Sequence, residues 1–272
     1  MSLTRKIDFA MIIGVKNANP NGDPLNGNRP RTNYDGYGEI SDVCIKRKIR
    51  NRLLDEGETI LVQSDDYRTD EFRSIKARYD EQMKPFAKSK DAAEKAQAAC
   101  RTWFDVRAFG QVFAGVDDIS ASIAVRGPVS IQSAFSLEQV DVTSLQITKS
   151  VNLTTNTKDP SQKSGDTMGM KHRVDRGVYV TFGSINRQLA EKTGFSDADA
   201  EKLKEAMRNL FENDESSARP GGSMEILKVI WWTHDKRTLS SAKVHQSLTV
   251  NPDGTYILSP LDGIDIQELD GV

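Results

Sequence analysis

An apolar run, Asp8 to Val15 (DFAMIIGV), passes directly into the turn-forming string Asn17-Ala-Asn-Pro-Asn-Gly-Asp-Pro24, and a cation-rich segment, Ser41 to Glu56, follows shortly after. An apolar run of that length closed by turn residues reads as a buried strand. Asn-Pro, Asn-Gly and Asp-Pro form turns because they preset φ or hydrogen-bond their own backbone. The order therefore sets a rigid polar loop and a cationic helix at one end of a buried strand.

With 272 residues, 37% of them hydrophobic, the chain can bury a substantial core, and we expect a single α+β domain over residues 1–272 with insertions. It has neither a stretch of ~18 apolar residues nor a basic-then-apolar leader, so no membrane span or signal peptide is expected, and a cytoplasmic location is. Cys44 and Cys100 are the only cysteines, with no CxxC pair, which leaves a disulfide framework or a cysteine zinc site without ligands.

The formal charge of -2 hides a segregation that matters more than the sum. Arg29 to Arg52 holds seven cations against three acids, a local charge of +4, whereas Ser196 to Glu215 carries -4, and Asn251 to Val272 holds five acids and no cation. Such a chain can hold a polyanion on one surface and offer a negative surface to a basic partner or to another copy of itself.

Ser41 is a good N-cap and Asp42 suits the positive start of a helix. Within that helix Ile45, Ile49 and Leu53 form a core stripe, and Lys46, Arg47 and Arg50 gather on another face. Thr59 to Gln63 reads as a short strand, and Thr69 to Trp103 as helices interrupted near Lys84-Pro85. Asp105 to Phe113 and Ser122 to Phe135 read as strands punctuated by Gly127-Pro128. Arg107 and Arg126, among apolar neighbours, are either paired with carboxylates or directed at a ligand.

Asp141 to Arg173 lacks Phe, Trp and Tyr, and alternates Leu145, Ile147, Val151 and Leu153 with polar residues, which predicts a hairpin arm with a polar tip near Lys158 to Thr167. Lys149, Lys158, Lys163, Lys171 and Arg173 give it positive charge, and Met168 and Met170 give it flexible apolar contacts. Val174 to Ser184 returns to strand patterning. Ser196 and Asp199 form a capping box for a helix with Leu203, Met207 and Leu210 buried, and Met224 to Thr233 is the last strong strand. The order strand, helix, strand, strand, helix, strand is the ferredoxin-like or RRM-like plan with insertions.

No Walker loop, GxSxG or HExxH is present, and His172, His234 and His245 are too far apart for a helical metal pair. The remaining enzymatic reading is a metal-dependent nuclease in which Asp23, Asp35 and Asp42 converge; a nucleic-acid-free structural oligomer is the other alternative. His172, beside Lys171 and Arg173, suits a phosphate or base contact, and His234 and His245 suit structural roles.

Asn19-Pro-Asn-Gly-Asp-Pro24, Ser41 with the basic helix, Asp105-Val-Arg-Ala-Phe-Gly110, Gly127-Pro-Val129, the arm, Gly177-Val-Tyr179 and Thr193-Gly-Phe-Ser196 together resemble the CRISPR-associated Csd-type backbone subunit of the type I-C Cascade complex. The resemblance covers nearly the whole chain. It implies an RRM-like palm, helical fingers at residues 69–103 and a β-hairpin thumb at residues 141–173, in a non-enzymatic subunit, without cofactor or metal, that polymerises head to tail along guide RNA beside other Cas subunits. On that reading Lys46, Arg47 and Arg50 hold phosphates, with Ser41, Asn19 and Asn21 positioning the backbone. Met168 or Met170 wedges against a base and Lys171 and Arg173 meet phosphate. Exposed guide bases pair with target DNA in antiviral defence, so the protein reads charge and shape rather than sequence.

Overall fold

The Asp8 to Val15 run becomes the middle of a longer strand, β1 (Ile7–Ala18), whose first seven residues are all buried. The computed structural model describes residues 2–86, 89, 91–113, 123–148, 150–151, 159, 161, 168–235 and 239–272. After β1 come a small hairpin of β2 (Gly22–Asp23) and β3 (Arg29–Pro30), then β4 (Tyr37–Ile40) and α1 (Asp42–Asp55). The insertion carries α2 (Ile75–Gln82), a 3₁₀ turn at Lys84–Phe86, α3 (Ala92–Thr102) and α4 (Phe104–Phe109). Strands β5 (Gly110–Phe113), β6 (Ile123–Arg126), β7 (Val129–Ile131), β8 (Ala134–Gln139), β9 (Val142–Thr148) and β10 (Met168–Ile185) follow. The remainder is α5 (Arg187–Thr193), α6 (Asp197–Arg208), β11 (Met224–His234), α7 (Ser241–His245), β12 (Leu248–Val250), β13 (Tyr256–Leu258) and β14 (Ile264–Leu269).

The main sheet runs β14-β11-β1-β10-β8-β4, with β7 and β9 also pairing with β10, and every pairing is antiparallel. Alternation along β1 sends Phe9, Met11 and Ile13 to one face, where Ile45, Ile49 and Leu53 of α1 and Leu203 and Met207 of α6 pack on them. Burying each such side chain is worth roughly 1.5–3 kcal/mol. Phe9 also stacks on Trp231 with ring centroids 5.7 Å apart. The opposite face places Ala10, Ile230 and Trp232 against Val244 of α7 and Leu248 of β12. At that face Asp8, fully buried, accepts from His234 Nε2 at 2.7 Å and pairs with Lys6 at 3.0 Å. Burial raises the Asp8 pKa, but these partners outweigh it and hold the carboxyl below its ordinary value. The insertion has its own core, in which Tyr79, Trp103 and Phe113 cluster with Met83 and Ala99.

Three expectations are corrected. Thr59 to Gln63 is not a strand: the Leu61 and Val62 amides donate to the Asp105 carboxylate instead of to a neighbouring strand. Asp105 to Phe109 is helical, and strand geometry begins only at Gly110. Short helix α4 forms because it serves two cores at once, with Phe104 and Ala108 entering one and Val106 the other. Met224 to Thr233 is not the final strand, since β14 pairs along β11 from Val229↔Leu269 to His234↔Ile264.

Arg107 resolves toward pairing: its Nη2 lies 2.8 Å from Asp199 Oδ1, and its guanidinium sits 4.6 Å from the Phe104 ring centroid. Arg126 is exposed. The Ser196–Asp199 capping box is complete at the start of α6. Burial raises the Asp199 pKa, and Arg107 with the Ser196 groups outweighs it, so the carboxyl sits below its usual value.

Candidate nucleic-acid interface

The loop after β1 is built by its own amides. Buried Asn19 donates its Nδ2 to Asn28 O at 2.7 Å, and Asn21 Oδ1 accepts from both the Ser41 amide (2.9 Å) and the Ser41 hydroxyl (2.8 Å). Ser41 Oγ in turn accepts from Cys44 N as the N-cap of α1. Three residues expected to face a phosphate backbone thus first lock the loop to the helix start. Gly22 lies close against Asn28: a Cβ there would stand 2.0 Å from Asn28 Oδ1, so a side chain at this position would require Asn28 to turn aside.

Helix α1 separates its three predicted cations. Lys46 pairs with Asp42 at 2.9 Å and Arg47 with Asp66 at 3.5 Å, both at the surface, where such pairs are weak and open readily to a stronger anion. Arg50 turns inward, its Nε 2.9 Å from Asp105 Oδ2 and its guanidinium 5.1 Å from the Phe109 ring centroid. Lys48 is also buried, against Asp214; burial pushes its pKa down despite that partner.

The arm is an antiparallel ladder running from Met168↔Thr148 to Val174↔Val142. Lys149, Leu153, Lys158, Lys163 and most of the predicted tip lie outside the described residues. Directly opposed residues share a face, so the register puts Met168, Met170 and His172 on one face with Gln146 and Ser144. Lys171 and Arg173 lie on the other with Leu145 and Thr143. Met168 is 66% and Met170 56% exposed. Arg173 pairs with Asp175 at 3.0 Å.

Arg29, not singled out by sequence as a site residue, ties the loop to the methionine face by donating Nη1–H to Ser144 Oγ at 2.7 Å. His172 Nδ1 lies 2.9 Å from the same oxygen. Arg29 can only donate, so Ser144 Oγ accepts from it and keeps a second lone pair and its proton for His172 Nδ1, whose role follows the ring's tautomer. Arg29 and Ser144 are far apart in sequence and no spacing signal connects them.

Asp23, Asp35 and Asp42 do not assemble a metal centre. Asp23 caps Leu25 N and faces Arg31, Asp42 holds Lys46, and among the described residues no three His, Cys, Asp or Glu side chains are placed to hold a metal ion. No described helix is long and apolar enough to cross a membrane.

The profile of the family described as "CRISPR-associated protein Cas7" matches residues 5–265 of the chain. The chain belongs to the Cas7 family. A Cas7 protein of Haloferax volcanii is 26% identical over 235 residues, covering 80% of this chain and 67% of the relative. Among solved structures, a chain of a "CRISPR RNA-guided surveillance complex, pre-nicking" shares the fold with a TM-score of 0.54 at 16% identity, over 88% of this chain and 81% of that one. A chain of a second "CRISPR RNA-guided surveillance complex" superposes with a TM-score of 0.47 at 15% identity, over 92% of this Cas7 chain and 77% of that one.

Proposed function

We propose that this Cas7-family chain is a backbone subunit of a type I-C Cascade complex, binding guide RNA without cutting it and polymerising head to tail along it. The sheet order β11-β1-β10-β8, with α1 and α6 on one face, supports a ferredoxin-like palm. Residues 69–103 are its fingers and 141–173 its thumb. The observation that carries the reading is the methionine face of the arm, which sets two exposed apolar side chains beside Arg29 and His172. An apolar wedge next to a guanidinium and an imidazole suits an unstacked base flanked by phosphates.

Lys46 and Arg47 track the RNA backbone from α1, with Asn19, Asn21 and Ser41 fixing the loop that leads to it. Arg50 acts from inside, holding α1 to α4. Met168 or Met170 wedges a base, and Lys171 and Arg173 reach phosphates from the opposite face of the arm. Bases left between successive arms pair with target DNA, and further Cas subunits cap the spine. A cytoplasmic location follows from that role.

The test is a nuclease-protection footprint on guide-like single-stranded RNA at physiological salt, with particle size measured in parallel. Regularly spaced protection and size growing with RNA length are expected. Binding without assembly, or cleavage that a chelator abolishes, would overturn the proposal in favour of a monomeric binder or a metal nuclease respectively.

A further inference from the structure

Beside the apolar wedge, the methionine face of the arm carries a polar pair. Ser144 of β9 and His172 of β10 lie directly opposite each other in the ladder, two residues along from the pair Gln146 and Met170 on the same face. Ser144 is exposed and His172 half-buried, with Oγ and Nδ1 2.9 Å apart. Gln146 donates Nε2–H to Met168 Sδ at 3.1 Å, so the polar pair and the methionines belong to one open surface. Arg29, reaching over from the loop, donates to Ser144 Oγ at 2.7 Å and fixes that oxygen in place while leaving its proton uncommitted. Among the described residues His172 Nε2 has no hydrogen-bond partner.

The pair can share its proton in two ways. With Ser144 O–H directed at Nδ1, the ring turns Nε2–H outward as a donor. With Nδ1–H directed at Oγ, the ring turns a bare Nε2 outward as an acceptor, and the serine proton is free to be donated. A phosphate oxygen only accepts and suits the first arrangement alone; a hydroxyl donates and accepts and suits both. Base edges also carry donors and acceptors, but these change from base to base, whereas a ribose carries its 2′-hydroxyl at every nucleotide. That hydroxyl is the group by which a contact can tell RNA from DNA. The placement fits as well: residues two apart on one strand face are about 6–7 Å apart, so a nucleotide whose base meets Met170 brings its sugar within reach of His172.

We infer that Ser144 and His172 read the 2′-hydroxyl of the nucleotide wedged by the arm and so make the chain prefer RNA to DNA, with Arg29 as the positioning residue that acts through Ser144. This assigns a specificity determinant to the guide-RNA site proposed above and rests on that reading.

Fluorescence titration of the full chain with a labelled single-stranded RNA, and with DNA of the same sequence in which uracil is retained, tests it. The unaltered chain is expected to bind the RNA more tightly. Ser144→Ala and His172→Ala are each expected to lower the RNA-over-DNA affinity ratio about three- to tenfold, the worth of one ordinary hydrogen bond. Ser144→Thr, which retains a hydroxyl, is expected to keep the ratio. The slope of log affinity against log salt should stay as it is, because a sugar contact releases no counterion. Independently of any variant, a single 2′-deoxy position scanned along the RNA is expected to weaken binding at the wedged nucleotide. A ratio of one in the unaltered chain, a scan without effect, or variants that weaken RNA and DNA equally would each overturn the inference, and the guide-RNA reading would survive all three. If the chain binds no RNA at all, both fall.

Discussion

Arg50 Nε and Asp105 Oδ2 lie 2.9 Å apart, with side chains only 12% and 1% exposed, and this pair fastens α1 to the insertion. The same carboxylate accepts from the Leu61 and Val62 amides, so one buried anion organises three segments. Removing Asp105 leaves a guanidinium and two amides without their acceptor. Asp105→Ala is expected to cost about 3–5 kcal/mol, the range for breaking a buried pair, measured by urea denaturation. Arg50→Gln should lower stability and leave the salt dependence of RNA binding unchanged; a lower salt slope at normal stability would instead make Arg50 a phosphate ligand.

The surface cations of α1 should behave in the opposite way. Lys46→Gln with Arg47→Gln is expected to reduce the slope of log affinity against log salt by about 0.7 for each single-strand phosphate that is no longer neutralised, with little change in melting temperature. Met168→Ala with Met170→Ala should weaken binding at every salt concentration and leave the slope as it is, because an apolar wedge releases no counterions. Fluorescence titration of labelled RNA over a salt series separates the two.

Ser41 joins loop and helix. Ser41→Ala removes the acceptor for Cys44 N and the donor to Asn21, and should cost about 1 kcal/mol, as for other helices deprived of an N-cap. Ser41→Asp restores a capping acceptor but sets a carboxylate against Asn21 Oδ1, so it should recover only part of that stability in a denaturant melt.

Asp199 predicts an acid-sensitive α6. Its folded-state pKa is lowered beneath the ordinary 3.8, so the carboxylate's contribution is fully present above that value and is lost as pH falls through the folded one. Asp199→Asn should lower stability at neutral pH and narrow the gap to wild type below about pH 4. Chemical denaturation at stepped pH checks this; a constant gap would mean that Asp199 does not titrate differently on folding.

Gly110 and Gly127 cross at backbone distance. A Cβ on Gly127 would stand 2.3 Å from the Phe109 carbonyl carbon, and one on Gly110 2.4 Å from Val125 O at a φ of 81°. Either replacement by Ala is expected to destabilise by about 1–3 kcal/mol or more, since only backbone could move aside. Thermal melts of the two variants, compared with Gly221→Ala, where a Cβ would meet nothing nearer than Glu215 Cγ at 3.7 Å, give the contrast.

Local chemistry was readable from the sequence wherever it was decided within a few residues. The Ser41 cap, the Ile45, Ile49, Leu53 stripe and the Ser196–Asp199 box all depend on spacings inside one turn or one face. Asp105 to Phe109 misled because its Val and Phe content suits a strand, whereas its conformation is set by two cores whose other members lie far away in the chain. The β14 strand was masked by its acids: Ile264, Ile266 and Leu269 sit half-buried beside β11 while Asp265 and Glu268 face water. For the candidate site, residue type singled out Lys46, Arg47, Arg50 and the methionines as candidates, but could not reveal that Asp105 takes Arg50 or that Arg29 reaches Ser144.

Strand β10 is 18 residues long, and its C-terminal half pairs with β1 at the centre of the sheet while its N-terminal half forms one side of the arm. The arm therefore has no hinge of its own on that side. Tilting it would twist a ladder that holds Val178 to Ile185 in the core, and sliding it by one residue would exchange its methionine and lysine faces. The pitch of any filament built through these arms is accordingly dictated by the interior of each protomer, like teeth cut from the same bar as the axle.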